Sequence, residues 1–323
     1  MNNFNETINM SLIRKSTDLT LPTALKMMIY AQAGTGKTTL SLSAPRPLLL
    51  DFDGGVNRIN LSHLDGIDIV QVTEWGEIKQ LLASPQDLAP YQTIVPDTVG
   101  KLLDCIITYK CGQRQPRVQD WSGINAEFLW FTKQLAALNK HIIFIAHRDT
   151  RKEGDRTVFI PLLREKTYNT IITDLDLLGY LEMVSEKGVQ KRILTFDPTD
   201  RSEGKNTCSM PAALTVPTIV DKQGRPTAAN DFIQREILSR YNAMLAQKYE
   251  LQKAYKAVVE DLQTRIDAIT NAEQANEFTK YIGTVQHVGS SKDEGRRMFG
   301  AKVKELGLAF DTETKLYSDA KSE

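Results

Sequence analysis

The sequence predicts an α/β protein, with a mostly parallel sheet covered on both faces by helices and a helical C-terminal region behind it. Three observations predict this. Short apolar runs alternate with helix-period segments through the first two-thirds of the chain, as in a parallel sheet whose strands are buried on both faces. The first run leads straight into a glycine-rich loop and then a helical pattern. Beyond about Gly224 convincing strands cease, and apolar residues from Ile233 to Ile269 recur mostly at gaps of three and four, a helical period.

The first strand is expected over residues 26–31, followed at 31–39 by A-Q-A-G-T-G-K-T-T. This is the Walker A phosphate loop, with Ala31 where the usual pattern begins with Gly. Glycine tolerates positive φ, so backbone N–H groups around Gly34 and Gly36 can wrap a phosphate chain. Ala33, Gly34, Thr35, Gly36, Lys37, Thr38 and Thr39 are therefore the expected nucleotide-binding residues. Lys37 is placed to reach the β- and γ-phosphates, and the Thr38 hydroxyl to ligate Mg²⁺. A helix over 38–43 would add the positive end of its dipole.

The second strand, 47–51, ends in L-L-L-D-F-D-G-G. Asp-Gly sequences favour turns, but carboxyl ends of parallel strands are where ligands gather. Asp53 is the expected catalytic acid, with Asp51 as the alternative. A strand over 67–72 and a helix over 74–83 follow, then T-I-V-P-D at 93–97. This is the Walker B form, in which Asp97 holds Mg²⁺ through water; the competing reading is an N-cap for the helix at 100–109. Pro96 cannot donate to a ladder, but it sits at the strand's last step. After a helix over 124–139, the strand 141–147 is apolar until His147. A polar group there is either a γ-phosphate sensor or a structural histidine. Strands over 176–184 and 192–197 flank a turn and are expected to form a hairpin.

Two segments carry local positive charge. Residues 110–121 offer Lys110, Arg114 and Arg117, and residues 147–156 offer Arg148, Arg151, Lys152 and Arg156. Basic loops contact single-strand backbones without sequence readout. Asp149, Glu153 and Asp155 partly neutralise the second segment, which also suits a solvated face. The 323 residues carry zero net charge, so any nucleic-acid signal is local. Three cysteines without C-x-x-C spacing argue against structural zinc. The N-terminus lacks an apolar signal core and no stretch is long enough to span a bilayer, so no membrane partner and a cytoplasmic location are expected. Length and the change in composition suggest an N-terminal arm (1–21), a core that carries the phosphate loop (22–224) and a helical region (225–323). That region would hold a long helix over about 228–270, short helices and a polar tail, with 211–217 and 223–226 as the linker.

The order phosphate loop, L-D-F-D-G-G, acid-ended strand and I-A-H resembles the phage-type nucleotide-binding ATPases with a RecA/RadA-like core, a group that includes phage single-strand annealing recombinases. The resemblance covers roughly residues 22–215. It implies a RecA-like P-loop NTPase fold that uses ATP and Mg²⁺. Its catalytic set would be Lys37, Asp53 in the place of a Glu, Asp97, and His147 as the switch residue. It places the two basic segments where such proteins carry DNA-binding loops. G-K-N-T at 204–207 is similar to a K-N-R stretch, implying that Lys205 reaches a neighbouring subunit's γ-phosphate; Thr207 replaces the Arg. The implied function is ATP-dependent recombination on single-stranded DNA, by annealing or strand exchange, in a phage or prophage protein of a bacterial host cell. The assembly would be a homo-oligomeric ring or filament, with a single-strand-binding protein as a further partner for the C-terminal helices. Asp53, one methylene shorter than Glu, leaves open an ATP-gated DNA-binding scaffold with little hydrolysis. A RecA-fold helicase or packaging motor shares the same core. The loop reads phosphates and not the base, so GTP is as compatible with it as ATP.

Overall fold

The apolar runs of the first two-thirds become one ten-stranded sheet in the computed structural model, which describes residues 20–186, 188–221 and 223–319. Residues 1–19 of the expected arm lie outside the described residues. In chain order the elements of this part are β1 (Lys26–Ala31), α1 (Lys37–Ser41), β2 (Pro47–Asp51), β3 (Asp68–Gln71), α2 (Trp75–Leu82) and α3 (Pro85–Leu88). There follow β4 (Thr93–Asp97), α4 (Val99–Cys111), α5 (Asp120–Ala137), β5 (His141–Glu153), β6 (Arg156–Pro161) and α6 (Glu165–Asp174). The hairpin β7 (Leu177–Glu186) and β8 (Val189–Thr195), β9 (Lys205–Asn206) and β10 (Ala213–Val216) complete it.

The strand order is β3-β2-β4-β5-β1-β7-β8-β10. Pairings from β3 to β7 are parallel, and β8 and β10 join antiparallel. β5 separates β1 from β4, the RecA-like arrangement of phosphate-loop and acid-ended strands. β1 and β2 are buried along almost their whole length. On one face Met28, Tyr30, Leu48, Leu50, Ile94, Ile142 and Phe144 pack against Trp75, Ile78, Leu102, Ile106, Phe128 and Phe131. Each such side chain contributes about 1.5–3 kcal/mol by leaving water. α4 is capped by the Thr98 hydroxyl, which accepts from the Lys101 N–H at 3.4 Å; Asp97 is left for other work.

Within the sheet unit, departures from expectation include the following. β5 does not stop at His147 but runs to Glu153 and pairs with β6, so 148–156 is a hairpin arm. Charged residues on an exposed arm hide the two-residue period that marks a half-buried strand. Residues 213–216, expected within the linker, form β10 and pair with β8 from Ala213↔Thr195 to Val216↔Arg192. α1 has five residues, ending in a turn before Pro45, so its dipole is small and loop N–H groups carry the anion-binding potential.

After β10 the chain crosses residues 217–231, closed on itself by the Val220–Pro226 bridge. A π-helical turn, Ile233–Leu238, leads into α7 (Ser239–Asp267), so helix starts later than residue 228. Its first apolar residues, Ile233, Ile237, Leu238 and Tyr241, are buried, and the Tyr241 hydroxyl donates to the Pro22 carbonyl at 3.2 Å. One compact unit runs Pro22–Met244 and a second takes up the chain from Leu245. In the second, Leu262, Ile266 and Ile269 pack with Phe278 of α8 (Ala272–Thr284) and Phe299 and Val303 of α9 (Ser291–Glu305). α9 approaches α7 so closely that a Cβ on Gly295 would lie 2.8 Å from Leu262 Cδ1. Where a polar tail is expected, β11 (Ala309–Phe310) pairs with β12 (Tyr317–Ser318). Among the described residues no helix is long and apolar enough to cross a membrane.

Candidate functional site

Parallel register brings the polar strand ends to one level. Ala31 pairs with His147, Asp97 with Ile145, and Asp51 with Asp97. The loop after β1, the acid of β4 and the histidine of β5 therefore open on the same edge of the sheet. They line one cavity of about 500 Å³ with Ala33, Gly34, Gly36, Lys37, Thr38, Thr39 and Asp53. Ala31 is the last residue of β1, fully buried and extended, so nothing there needs a glycine. Gly34 and Gly36 do, with φ of +79° and +91°. The Thr35 hydroxyl donates to the Gln32 carbonyl at 2.9 Å and braces the loop.

Lys37 is buried, and its Nζ donates to the Gln32 carbonyl at 3.0 Å and the Ala31 carbonyl at 3.3 Å. Burial lowers its pKa, with Asp97 and Asp53 opposing. Thr38 donates its hydroxyl to Asp97 Oδ2 at 2.5 Å. Asp97 is buried, and burial pushes its carboxyl up to about 6. The Thr38 hydrogen bond and Lys37 pull it down, while Asp53 and Asp51 push it further up.

The two acids after β2 have separate tasks. Asp51 is spent on structure, with its carboxylate accepting from the N–H groups of Asp53, Gly55 and Val56 at 3.1–3.3 Å. Asp53 faces the cavity, one oxygen accepting from the Gly55 N–H at 2.8 Å and the other 4.0 Å from His147 Nε2. Gly55 is required by that approach, since a Cβ there would lie 2.6 Å from Asp53 Oδ1. Burial and then Lys37 lower the His147 pKa against the pull of Asp53, which favours the neutral imidazole. Among the described residues no cluster of three or more His, Cys, Asp or Glu side chains is placed to hold a metal. A hydroxyl beside an acid whose neighbours are further carboxylates nevertheless fits a divalent cation, completed by phosphate oxygens and water.

The basic segments do not form one free cationic face. Lys110 turns inward to Glu127 at 2.6 Å, and Arg114 grips Asp120 through both terminal nitrogens. Asp120 also accepts the Arg117 N–H. Arg148 stacks 4.2 Å over Phe159 and donates to the Tyr180 hydroxyl, and Arg151 is held by Glu153 and Glu203. Lys152 and Arg156 are exposed near the tip of the β5–β6 hairpin. Within the chain, Lys205 Nζ donates to the Ile172 and Thr173 carbonyls at 2.9 Å. Those carbonyls belong to the last turn of α6, where unpaired acceptors and the negative dipole end attract a cation.

Sequence reasoning missed the far wall. Arg58, Asn60 and His63 line the cavity together with 216–220, 228–232 and Arg235. The segment is tied down where Asn230 Nδ2 donates to the Thr39 carbonyl at 2.8 Å, the Ile233 N–H to Ser43 Oγ at 2.8 Å, and Asn60 Nδ2 to the Gly224 carbonyl. Arg192 also reaches the phosphate loop, with its Nε donating to the Thr35 carbonyl at 3.0 Å. No local motif marks these residues; strand pairing brings in Arg192 and Val216, and the connections after β2 and β10 bring in the rest.

A family model described as an AAA domain matches residues 23–208. The SPbeta prophage-derived uncharacterized protein YorG of Bacillus subtilis (strain 168) is 27% identical over 176 residues, 50% of this chain and 51% of that protein. The chain thus spans about half the length of the curated relative it matches. Among solved structures, a KaiC-like protein from Pyrococcus horikoshii OT3 is 12% identical, with a TM-score of 0.35 over 53% of this chain and 77% of that one. The flagellar accessory protein FlaH from Methanocaldococcus jannaschii is 17% identical, with a TM-score of 0.39 over 65% and 92%. Sheet order and register carry the fold assignment without these two likenesses.

Proposed function

The chain belongs to the AAA domain family, and from that premise we propose that it is an ATP-dependent recombination protein that binds single-stranded DNA and hydrolyses ATP to ADP and phosphate. The supporting observation is the register that gathers the phosphate loop, Asp53, Asp97 and His147 around one cavity. Lys37 leaves the loop carbonyls for the β- and γ-phosphates. The Thr38 hydroxyl and the Asp97 carboxylate are the groups that would hold Mg²⁺. Mg²⁺ when bound neutralises charge developing on the phosphate oxygens. Asp53 accepts a proton from the attacking water, and neutral His147 donates a hydrogen bond toward the γ-phosphate.

The DNA reading rests on the β5–β6 hairpin, which continues directly from His147 and exposes Lys152 and Arg156, and on the likeness to a prophage-derived protein. The protein assembles with itself on the DNA as a ring or filament in the host cytoplasm, with a single-strand-binding protein as a further partner. The test is ATP turnover with and without single-stranded DNA across a salt series. Stimulation that fades steeply with salt is expected, as is a loss of at least about a hundredfold in K37A, since the Lys makes charge-assisted contacts to the transferred group. Turnover indifferent to DNA at every salt concentration overturns the recombination reading, and unchanged turnover in K37A overturns the site.

One observation favours a second reading, an ATP-gated scaffold with little turnover. Asp53 is short, and one of its oxygens is already engaged by Gly55. In a scaffold D53E raises turnover about tenfold or more by placing water better, as expected for a positioned general base. Where Asp53 is a tuned base, D53E lowers it.

A further inference from the structure

β8 enters the sheet next to β7, and its register sets Arg192 opposite Met183 on one side and Val216 on the other. Val216 ends β10 and itself lines the cavity. Arg192 is half-buried there, and among the described residues no carboxylate forms an ion pair with it. Its guanidinium reaches the phosphate loop: Nε donates to the Thr35 carbonyl, and a Cβ on Gly36 would lie 3.6 Å from the same nitrogen. A guanidinium has five donors in a fixed fork, and the Thr35 carbonyl takes up one. Holding the rest of an unneutralised cation half out of water beside a loop built for anions costs free energy unless an anion arrives. Lys37 shows the same arrangement, parked on loop carbonyls beside the same cavity.

We propose that Arg192 is a phosphate ligand of the bound nucleotide, supplied by the same chain that supplies the phosphate loop, with the Thr35 carbonyl as its resting partner. The inference rests on the nucleotide-binding reading and adds to it a second cation besides Lys37. It also gives the β7–β8 hairpin and β10 a task, since both fix the position of Arg192. Because the cation comes from the loop's own chain, this contact forms in a lone subunit before any assembly.

Titration of fluorescent ADP and ATP analogues into the parent, R192A, R192Q and R192K separates the possibilities. R192A is expected to bind both nucleotides about ten- to a hundredfold more weakly, the usual worth of one hydrogen bond to a charged group. R192K, which keeps the charge, recovers part of that loss, and R192Q, which can still donate to the Thr35 carbonyl, does not. Recovery by Gln equal to that by Lys makes Arg192 a prop for the loop and overturns the proposal, as does parent-like binding in R192A. Mixing R192A with K37A tests the origin of the cation. No recovery of binding sites is expected, and recovery assigns Arg192 to a neighbouring subunit, overturning the same-chain claim. Thermal unfolding without nucleotide should match the parent in all three variants. Absence of nucleotide binding in the parent itself defeats the underlying reading rather than the role of Arg192.

Discussion

Two buried carboxylates on the same sheet unit have opposite fates. Glu127, on α5 behind the sheet, is 8% exposed and accepts from Trp75 Nε1 at 2.9 Å, Lys79 at 2.9 Å and Lys110 at 2.6 Å. Burial pushes it up, but the Lys110, Lys79 and Trp75 donors outweigh burial and bring it down to about 2. Asp97, at the mouth, has one hydroxyl donor, two acidic neighbours and a lysine turned toward other acceptors, and stands at about 6. A buried charge whose partners are complete is architecture. One left short of positive charge marks where a ligand has to supply it.

The largest expected effect tests the satisfied side. E127Q should lower stability by about 3 kcal/mol at pH 7, because it leaves Lys110 and Lys79 without their buried carboxylate partner. Because the folded-state pKa lies below the unfolded one, that advantage is complete above the ordinary Glu range and disappears as pH falls toward about 2. Urea unfolding of both proteins across this range reads it; a gap that ignores pH would mean Glu127 acts by packing alone. On the deficient side the sign reverses. Asp97 is raised, so its contribution is present below the ordinary Asp range and is lost as pH rises through about 6. In nucleotide-free, Mg²⁺-free protein D97N should gain about 2 kcal/mol at pH 8 and nothing at pH 4, while its ATP turnover collapses. A D97N protein less stable than the parent at pH 8 would break the comparison.

Smaller effects sharpen it. Ser41, fully buried on α1, has a hydroxyl with no partner among the described residues. S41A should stabilise by about 1 kcal/mol, the cost of an unmade buried hydrogen bond, with nucleotide affinity unchanged in the same titration. K205A should cost only about 0.5 kcal/mol, as for a cation at a helix C-terminus, and leave turnover intact. Loss of turnover in K205A without loss of stability would return Lys205 to a neighbour's active site.

The phosphate loop and Asp97 were legible in the sequence because their chemistry is local: glycines for positive φ, a lysine and a hydroxyl in fixed succession, an acid ending an apolar run. His147 was legible as a strand-end position, although β5 continues past it. The second basic segment is a strand hairpin rather than a loop, and the pairing of Lys110 with Glu127 and of Arg151 with Glu203 was not legible because those partners are distant in sequence. Arg192, Asn60 and Asn230 carried no local signal at all. The pairing of β8 with β10 brings Arg192 to the cavity, the path of residues 217–231 brings Asn230, and the segment after β2 brings Asn60.

That path has a mechanical consequence. Thr39 and Ser43, on and just beyond α1, are hydrogen-bonded to Asn230, Ile233 and Gln234, which enter the same continuous helix as α7. A chain cut at residue 224 to isolate a catalytic half would strip one wall from the cavity and should lose nucleotide affinity for that reason alone. A useful cut has to lie beyond Tyr241. By the same linkage, a displacement of Asn230, Ile233 or Gln234 is felt at α1 through two side chains, Asn230 and Ser43, and two backbone amides.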